Sequence, residues 1–249
     1  MKALFFLIII LIFAVCDSQT AEYKPVGRNP AGTAPARAKP QTASQKTSAG
    51  SRQAAAQRQY VGKDGSPLLF GTVEIGNSLN SLPKWTDVIA RNSQDPIFQL
   101  ERYFNRTTTW ASLRDKASGK TPMQQLQLIN EFWNKWKYID DRSNWNMRDY
   151  WAIPAQFLKK SGDCEDYAIA KYFTLKELGF DPHTLRIVVL KNTFTNEDHA
   201  VLAVYLNGDV FILDNLSPIV LSHKRISQYA PQVSVNEFQS WRHIPPKIR

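Results

Sequence analysis

The chain is poor in cysteine: its 249 residues contain two, Cys16 and Cys164. That excludes a disulfide framework. If the N-terminus is removed, Cys164 has no partner within the chain and is either a small buried hydrophobe or a reactive thiol. Long apolar runs are also scarce. The run from Ala3 to Val15 falls short of the roughly 20 residues a membrane-spanning helix needs. It follows a basic start at Lys2 and precedes small residues, which is the layout of a secretory signal. Residues 1–21 are therefore expected to direct export. Lipidation at Cys16 is an alternative, although Val15 is bulkier than the usual preceding residue, and a retained anchor is another.

A concentrated basic surface is missing as well. The net charge is +9, but residues 1–63 hold +7 of it and the remainder only +2. The remainder has no basic stripe, so no nucleic-acid partner is expected. Residues 22–62 are rich in Ala, Pro, Gln, Thr and Ser and have no large aliphatic cluster. Such a stretch buries too little apolar surface to offset chain entropy, and Pro30, Pro35 and Pro40 oppose a continuous helix. It is read as a disordered tether, either solvated or grazing an anionic membrane surface. Residues 63–249 suit one globular domain.

The first half of that domain reads as helical. Asp95-Pro96 looks like a helix start leading into Ile97, Leu100, Tyr103 and Phe104. Thr121-Pro122 opens a second run with Leu126, Ile129, Trp133, Trp136 and Ile139 on one face. Trp145, Tyr150 and Trp151 follow as core or groove wall. After Gly162-Asp163, a helix is expected from Cys164 or its neighbour to Leu178, with Gly179 as its stop. Three strand-like runs follow: Thr184 to Leu190, His199 to Leu206, and Val210 to Leu213. Asn207-Gly208 is a two-residue hairpin turn. Helices followed by an antiparallel meander make an α+β domain.

The chemistry gathers at the junction. Cys164 begins a helix, where unpaired N–H groups and the dipole favour a thiolate and offer donors to an oxyanion. With the turn at Asn207-Gly208, residue i faces residue 415 − i, so His199 faces position 216, two places from Asp214. That diagonal offset of roughly 7–8 Å is within side-chain reach. Cys164, His199 and Asp214 are thus candidates for a nucleophile, base and orienting carboxylate. His183, His223 and His243 stand in polar contexts and are expected to be exposed. Asp163, Glu165 and Asp166 surround the thiol. They are explained either by the helix dipole or by a hard cation such as Ca²⁺, which prefers oxygen ligands.

Gly162-Asp163-Cys164-Glu165-Asp166-Tyr167-Ala168-Ile169-Ala170-Lys171-Tyr172, with His199-Ala200-Val201-Leu202 and Leu213-Asp214-Asn215-Leu216, resembles the bacterial transglutaminase-like cysteine proteinases, in particular the LapG-type adhesin proteases. The resemblance covers roughly residues 75–240. It implies a papain/transglutaminase-like fold, with a helical N-terminal lobe and a nucleophile helix packed on an antiparallel sheet. It implies the Cys164–His199–Asp214 triad, and calcium held by Asp163 and Glu165 with Asp166 as a third position. It further implies a periplasmic endopeptidase that cuts near paired alanines in the N-terminal region of a large surface adhesin, promoting biofilm dispersal. An inner-membrane receptor that reads cyclic di-GMP would sequester it. The same triad would serve a transglutaminase or peptidoglycan amidase, and the fold would also serve a non-catalytic peptide-binding module.

Overall fold

The computed structural model describes residues 67–245. The export signal, Cys16, the tether and the domain start at residue 63 lie outside the described residues, as do residues 246–249. Among the described residues a short 3₁₀ helix (Leu69–Gly71) precedes strand β1 (Val73–Asn77), and six α-helices come before the remaining strands: α1 (Pro83–Gln94), α2 (Trp110–Ala117), α3 (Pro122–Trp133), α4 (Asp141–Trp145), α5 (Pro154–Lys160) and α6 (Cys164–Glu177). The chain then turns to sheet, with β2 (Leu185–Asn192), β3 (Glu197–Leu206), β4 (Asp209–Leu213), β5 (Leu221–Ser222), β6 (Tyr229–Val235) and β7 (Ser240–Ile244).

Local chemistry sets the helix boundaries. Thr109 and Thr121 accept from the N–H groups of Ser112 and Gln124, whose side chains accept in return from the Thr109 and Thr121 N–H groups. Pro83, Pro122 and Pro154 occupy first helical positions, where a missing N–H costs nothing. Asp95-Pro96 does not start a helix: α1 ends just before it, at Gln94. Proline keeps the preceding residue out of the helical region, and here that effect stops a helix. The apolar side chains Ile97 and Phe104 instead enter the core from irregular segments. Likewise α3 stops at Trp133, short of Trp136 and Ile139.

The seven strands form one antiparallel sheet in the order β1-β7-β6-β2-β3-β4-β5. The β3–β4 hairpin has the expected register, with Leu206 opposite Asp209 and Leu202 opposite Leu213. Asn207 and Gly208 both have positive φ, 52° and 77°, as a tight hairpin turn requires. Between β2 and β6 the pairing slips once, from Val189–Val233 to Leu190–Pro231, leaving Gln232 without a partner on β2.

Helix α6 is the spine of the domain. Ten consecutive residues, Asp166 to Leu175, are buried, so it has no solvent stripe to present. It packs on β2 and β3 on one side and on α3 and α5 on the other. The main core joins α6 to Ile187, Leu202 and Val204 of the sheet and to Phe104, Trp110, Phe132, Trp133 and Phe157. A second cluster covers the alternate sheet face through Val188, Leu190, Val201, Ala203, Ile212 and Tyr229. Within the main core, Trp133 Nε1 donates to Thr174 Oγ1 at 2.9 Å, and that hydroxyl donates in turn to the Ala170 carbonyl at 2.7 Å, so both buried groups are paired. Among the described residues no helix is long and apolar enough to cross a membrane. This is the α+β architecture expected of a transglutaminase-like protease.

Candidate active site

Cys164 is the first residue of α6, and Gly179, with φ of 94°, follows the helix end as expected. Gly162 is needed just upstream for close packing. A Cβ there would lie 2.0 Å from Asp166 Oδ2. That carboxylate accepts from the Ala152 N–H at 2.6 Å and from the Asp163 N–H at 3.4 Å, which ties the start of α6 to the segment leading into α5.

The thiol donates to Glu165 Oε2 at 3.1 Å. Burial pushes the Cys164 pKa up, and the charges of Glu165 and Asp163 push it further, while the Ala200 N–H works in the opposite direction. Ala200 follows His199, so β3 meets the start of α6 at the sulfur. Cys164 and His199 both stand in the walls of two cavities, of about 420 and 570 Å³. The smaller is also lined by Asn192, Glu197, Asn215 and Leu216. The larger is also lined by Arg148, Trp151 and four of the acidic residues described below. Tyr138 and Asp198 border both.

His199 Nε2 donates to Asp214 Oδ1 at 2.9 Å, and both residues are buried. The same oxygen accepts from the Leu216 N–H at 2.9 Å, and Oδ2 accepts from the Tyr229 hydroxyl at 2.5 Å. Burial alone would raise the Asp214 pKa. The hydrogen bond and charge of His199, together with Tyr229 and Leu216, outweigh it and hold the carboxyl below its usual range. With Nε2 committed to Asp214, Nδ1 is the ring nitrogen left for another partner.

The acidic residues around the thiol behave differently. Asp163 is pushed up to about 10 by burial first, then by Glu165 and Asp166, and burial pushes Asp141 up to about 6. Asp166 is raised as well, again chiefly by burial. Asp141 Oδ2 accepts from the Tyr150 N–H, but Asp141 Oδ1 and Asp163 Oδ1 are buried with no hydrogen-bond partner among the described residues. Carboxylate oxygens come within 4.8 Å of one another in two overlapping groups: Asp141, Asp149 and Glu165, and Asp141, Asp163 and Asp166. An all-oxygen set with two orphaned acceptors fits a hard divalent cation such as Ca²⁺.

The structure therefore brings together all six residues singled out from sequence, and adds others. Asp141 and Asp149 come from α4 and the turn after it, and nothing in their spacing ties them to Cys164. Tyr229 arrives from β6. Of the other histidines, His183 is exposed and stacked on Phe238, but His223 and His243 are buried, contrary to the sequence reading. His223 Nδ1 accepts from the Phe70 N–H, and its Nε2 lies 3.4 Å from Asp209. His243 bonds Thr72 and Ser234 through its two ring nitrogens. Their polar sequence context supplies partners within the fold rather than exposure. Of the tryptophans, Trp151 is buried in the larger cavity's wall. Trp145 is half-buried under Lys160, whose ammonium lies 4.0 Å from its ring centre.

Residues 102–248 match the family model described as bacterial transglutaminase-like cysteine proteinase. No curated protein matches the chain. Among solved structures, calcium-bound LapG of Legionella pneumophila is 30% identical, with a TM-score of 0.51, over 63% of this chain and 86% of that one. A second structure of the same LapG is 34% identical over 53% of this chain and 75% of that one, with a TM-score of 0.49. An EGTA-treated form is 34% identical over 53% and 73%, also at 0.49. With more than half of its length matched by the family model, this chain belongs to the bacterial transglutaminase-like cysteine proteinases, the family of LapG.

Proposed function

We propose that this protein is a calcium-dependent cysteine endopeptidase with Cys164 as nucleophile, His199 as base and Asp214 as orienting carboxylate. One observation carries the chemistry. His199 commits Nε2 to Asp214 while sharing two cavity walls with Cys164, so Nδ1 is the nitrogen available to the thiol.

In the acylation step the Cys164 proton passes to His199 Nδ1 and the sulfur attacks a peptide carbonyl carbon. The oxyanion forms near the unpaired N–H groups that open α6. As the C–N bond breaks, Nδ1 returns the proton to the leaving amine. Water then gives a proton to Nδ1 and attacks the thioester carbon, which releases the acid product and the thiol. Asp214 holds the imidazole in the required tautomer throughout. Asp141, Asp163 and Glu165, with Asp149 and Asp166 beside them, would hold the calcium. Its charge there offsets the acidic surroundings that disfavour a thiolate. The calcium-bound state of the related LapG supports this reading.

The substrate we propose is the N-terminal region of a large surface adhesin, whose cleavage releases it and disperses a biofilm. The setting is the periplasm, reached through the export-type N-terminus, which also allows a membrane tether. Control lies with an inner-membrane receptor that binds the protease and reads cyclic di-GMP. Family resemblance supports these assignments. The test is cleavage of an adhesin N-terminal fragment with calcium, with chelator, and by Cys164→Ala. Cleavage that needs both Cys164 and calcium is expected. An intact fragment in the presence of calcium would sink the proposed substrate. Cleavage that survives Cys164→Ala would sink the proposed nucleophile.

A further inference from the structure

Asp214 presents two oxygens, and they are occupied unequally. Oδ1 accepts from His199 Nε2 and from the Leu216 N–H, whereas among the described residues Oδ2 has one donor, the Tyr229 hydroxyl at 2.5 Å. Tyr229 belongs to a different strand from either partner. It opens β6, where it stands opposite Asn192 of β2. Its ring centre is 5.7 Å from that of His199. On another side, Phe70 meets the same ring edge-on at 6.0 Å. The phenol is therefore held between an aromatic support and the His199–Asp214 pair, and it is 8% exposed.

A carboxylate can turn about its last side-chain bond and exchange its oxygens. The Leu216 N–H holds one oxygen but does not define the plane. A second anchor on Oδ2, fixed to a sheet strand, does. We propose that Tyr229 is a positioning residue for the reaction: its hydroxyl pins Asp214 so that Oδ1 holds His199 Nε2 and Nδ1 stays aimed at Cys164. This role rests on the triad reading above. Burial and the neighbouring Asp214 charge push the Tyr229 pKa up, so the hydroxyl keeps its proton and remains a donor throughout the working pH range.

The test is Tyr229→Phe in the full chain, which removes one oxygen and keeps the ring. Loss of a buried hydrogen bond to a charged group predicts a fall in kcat of about tenfold or more, with KM within about twofold. Two readouts separate positioning from bulk stability. Nitrogen-detected spectra of His199 should show the Nε2–H tautomer in the wild type and a mixed population in Tyr229→Phe. In a double-mutant cycle, Asp214→Asn with Tyr229→Phe should be no worse than Asp214→Asn alone, because the hydroxyl acts through that carboxylate. Wild-type kcat, an unchanged tautomer or additive losses would each overturn the proposal, as would a variant that no longer melts cooperatively. Cys164→Ala run alongside keeps the two readings apart. If it still cleaves, the triad reading falls. If it is dead while Tyr229→Phe is unimpaired, only the positioning role falls.

Discussion

Two buried acidic sites meet the same thiol, and they are completed in opposite ways. Asp214 has a donor for every role it plays: an imidazole, a backbone N–H and a phenol. Its carboxyl is held below the ordinary range although burial works against it. Asp141, Asp163 and Asp166 are also buried, stand among like charges, and include two oxygens with no donor among the described residues, so their pKa values rise. Burial is common to both sites and therefore cannot be what separates them. The number of donors separates them. The first site is finished by protein atoms. The second has Lys84, paired with Asp149, against five carboxylates, and a hard cation is the natural supplier of the missing positive charge.

The largest expected effect comes from spoiling the finished site. Asp214→Asn should lower kcat/KM by about a thousandfold or more, because the amide cannot stabilise the imidazolium and favours the wrong tautomer. Kinetics on any cleavable peptide will read this, and a loss below tenfold would break the contrast. Next is the unfinished site. Calcium at about 100 times its Kd should add about 2.7 kcal/mol of stability, seen as a rise in Tm that chelator reverses. A Tm indifferent to both would mean that the orphaned oxygens are not completed by this ion.

Asp141→Asn sharpens the point by changing sign with conditions. Without calcium it should be neutral or stabilising by about 1 kcal/mol, since it removes a buried like charge. With calcium it should erase most of the gain in Tm. The smallest effect on cleavage is expected at Lys171, a fully buried ammonium with no hydrogen-bond acceptor among the described residues, which burial pushes down to about 7 despite the charge of Asp214. Lys171→Met should leave cleavage within about twofold while raising stability at neutral pH. Between about 7 and 10.5 the unfolded wild type binds the proton that the folded protein has lost, so wild-type stability rises with pH there. The advantage of the variant should therefore be greatest at pH 7 and below. It should shrink by about 1.4 kcal/mol per pH unit at its steepest, measured by denaturant melts across the window.

Features that arise within a few residues were readable from the chain. Gly162-Asp163 before Cys164 and Gly179 after Leu178 bracket α6 because caps are local chemistry, and Asn207-Gly208 places His199 near Asp214 because a two-residue turn sets register. Features assembled over long distances were not. Asp141 and Asp149 join the acidic site only once α4 and the following turn have packed beside the start of α6. The buried His223 and His243 look like surface residues until Asp209, Thr72 and Ser234 are seen around them. Strand β6 carries Pro231 and an unpaired Gln232, which blur the alternation that reveals a strand.

That slip on β6 has a consequence for how the gene can change. Side chains alternate faces at every residue, so one extra position inverts everything on its far side. Tyr229 shares a sheet face with Val188 and Leu190 only because the ladder skips Gln232, while Val235 beyond it joins the opposite face with Ile187. Gln232 is exposed, and its identity is free to vary. Its presence is not required either: without Gln232 the partners Val233–Val189, Pro231–Leu190 and Tyr229–Asn192 would simply become consecutive. A codon added there and not bulged out would instead turn the phenol from Asp214 toward the helical core, so this stretch should tolerate substitution and loss of the bulge better than insertion.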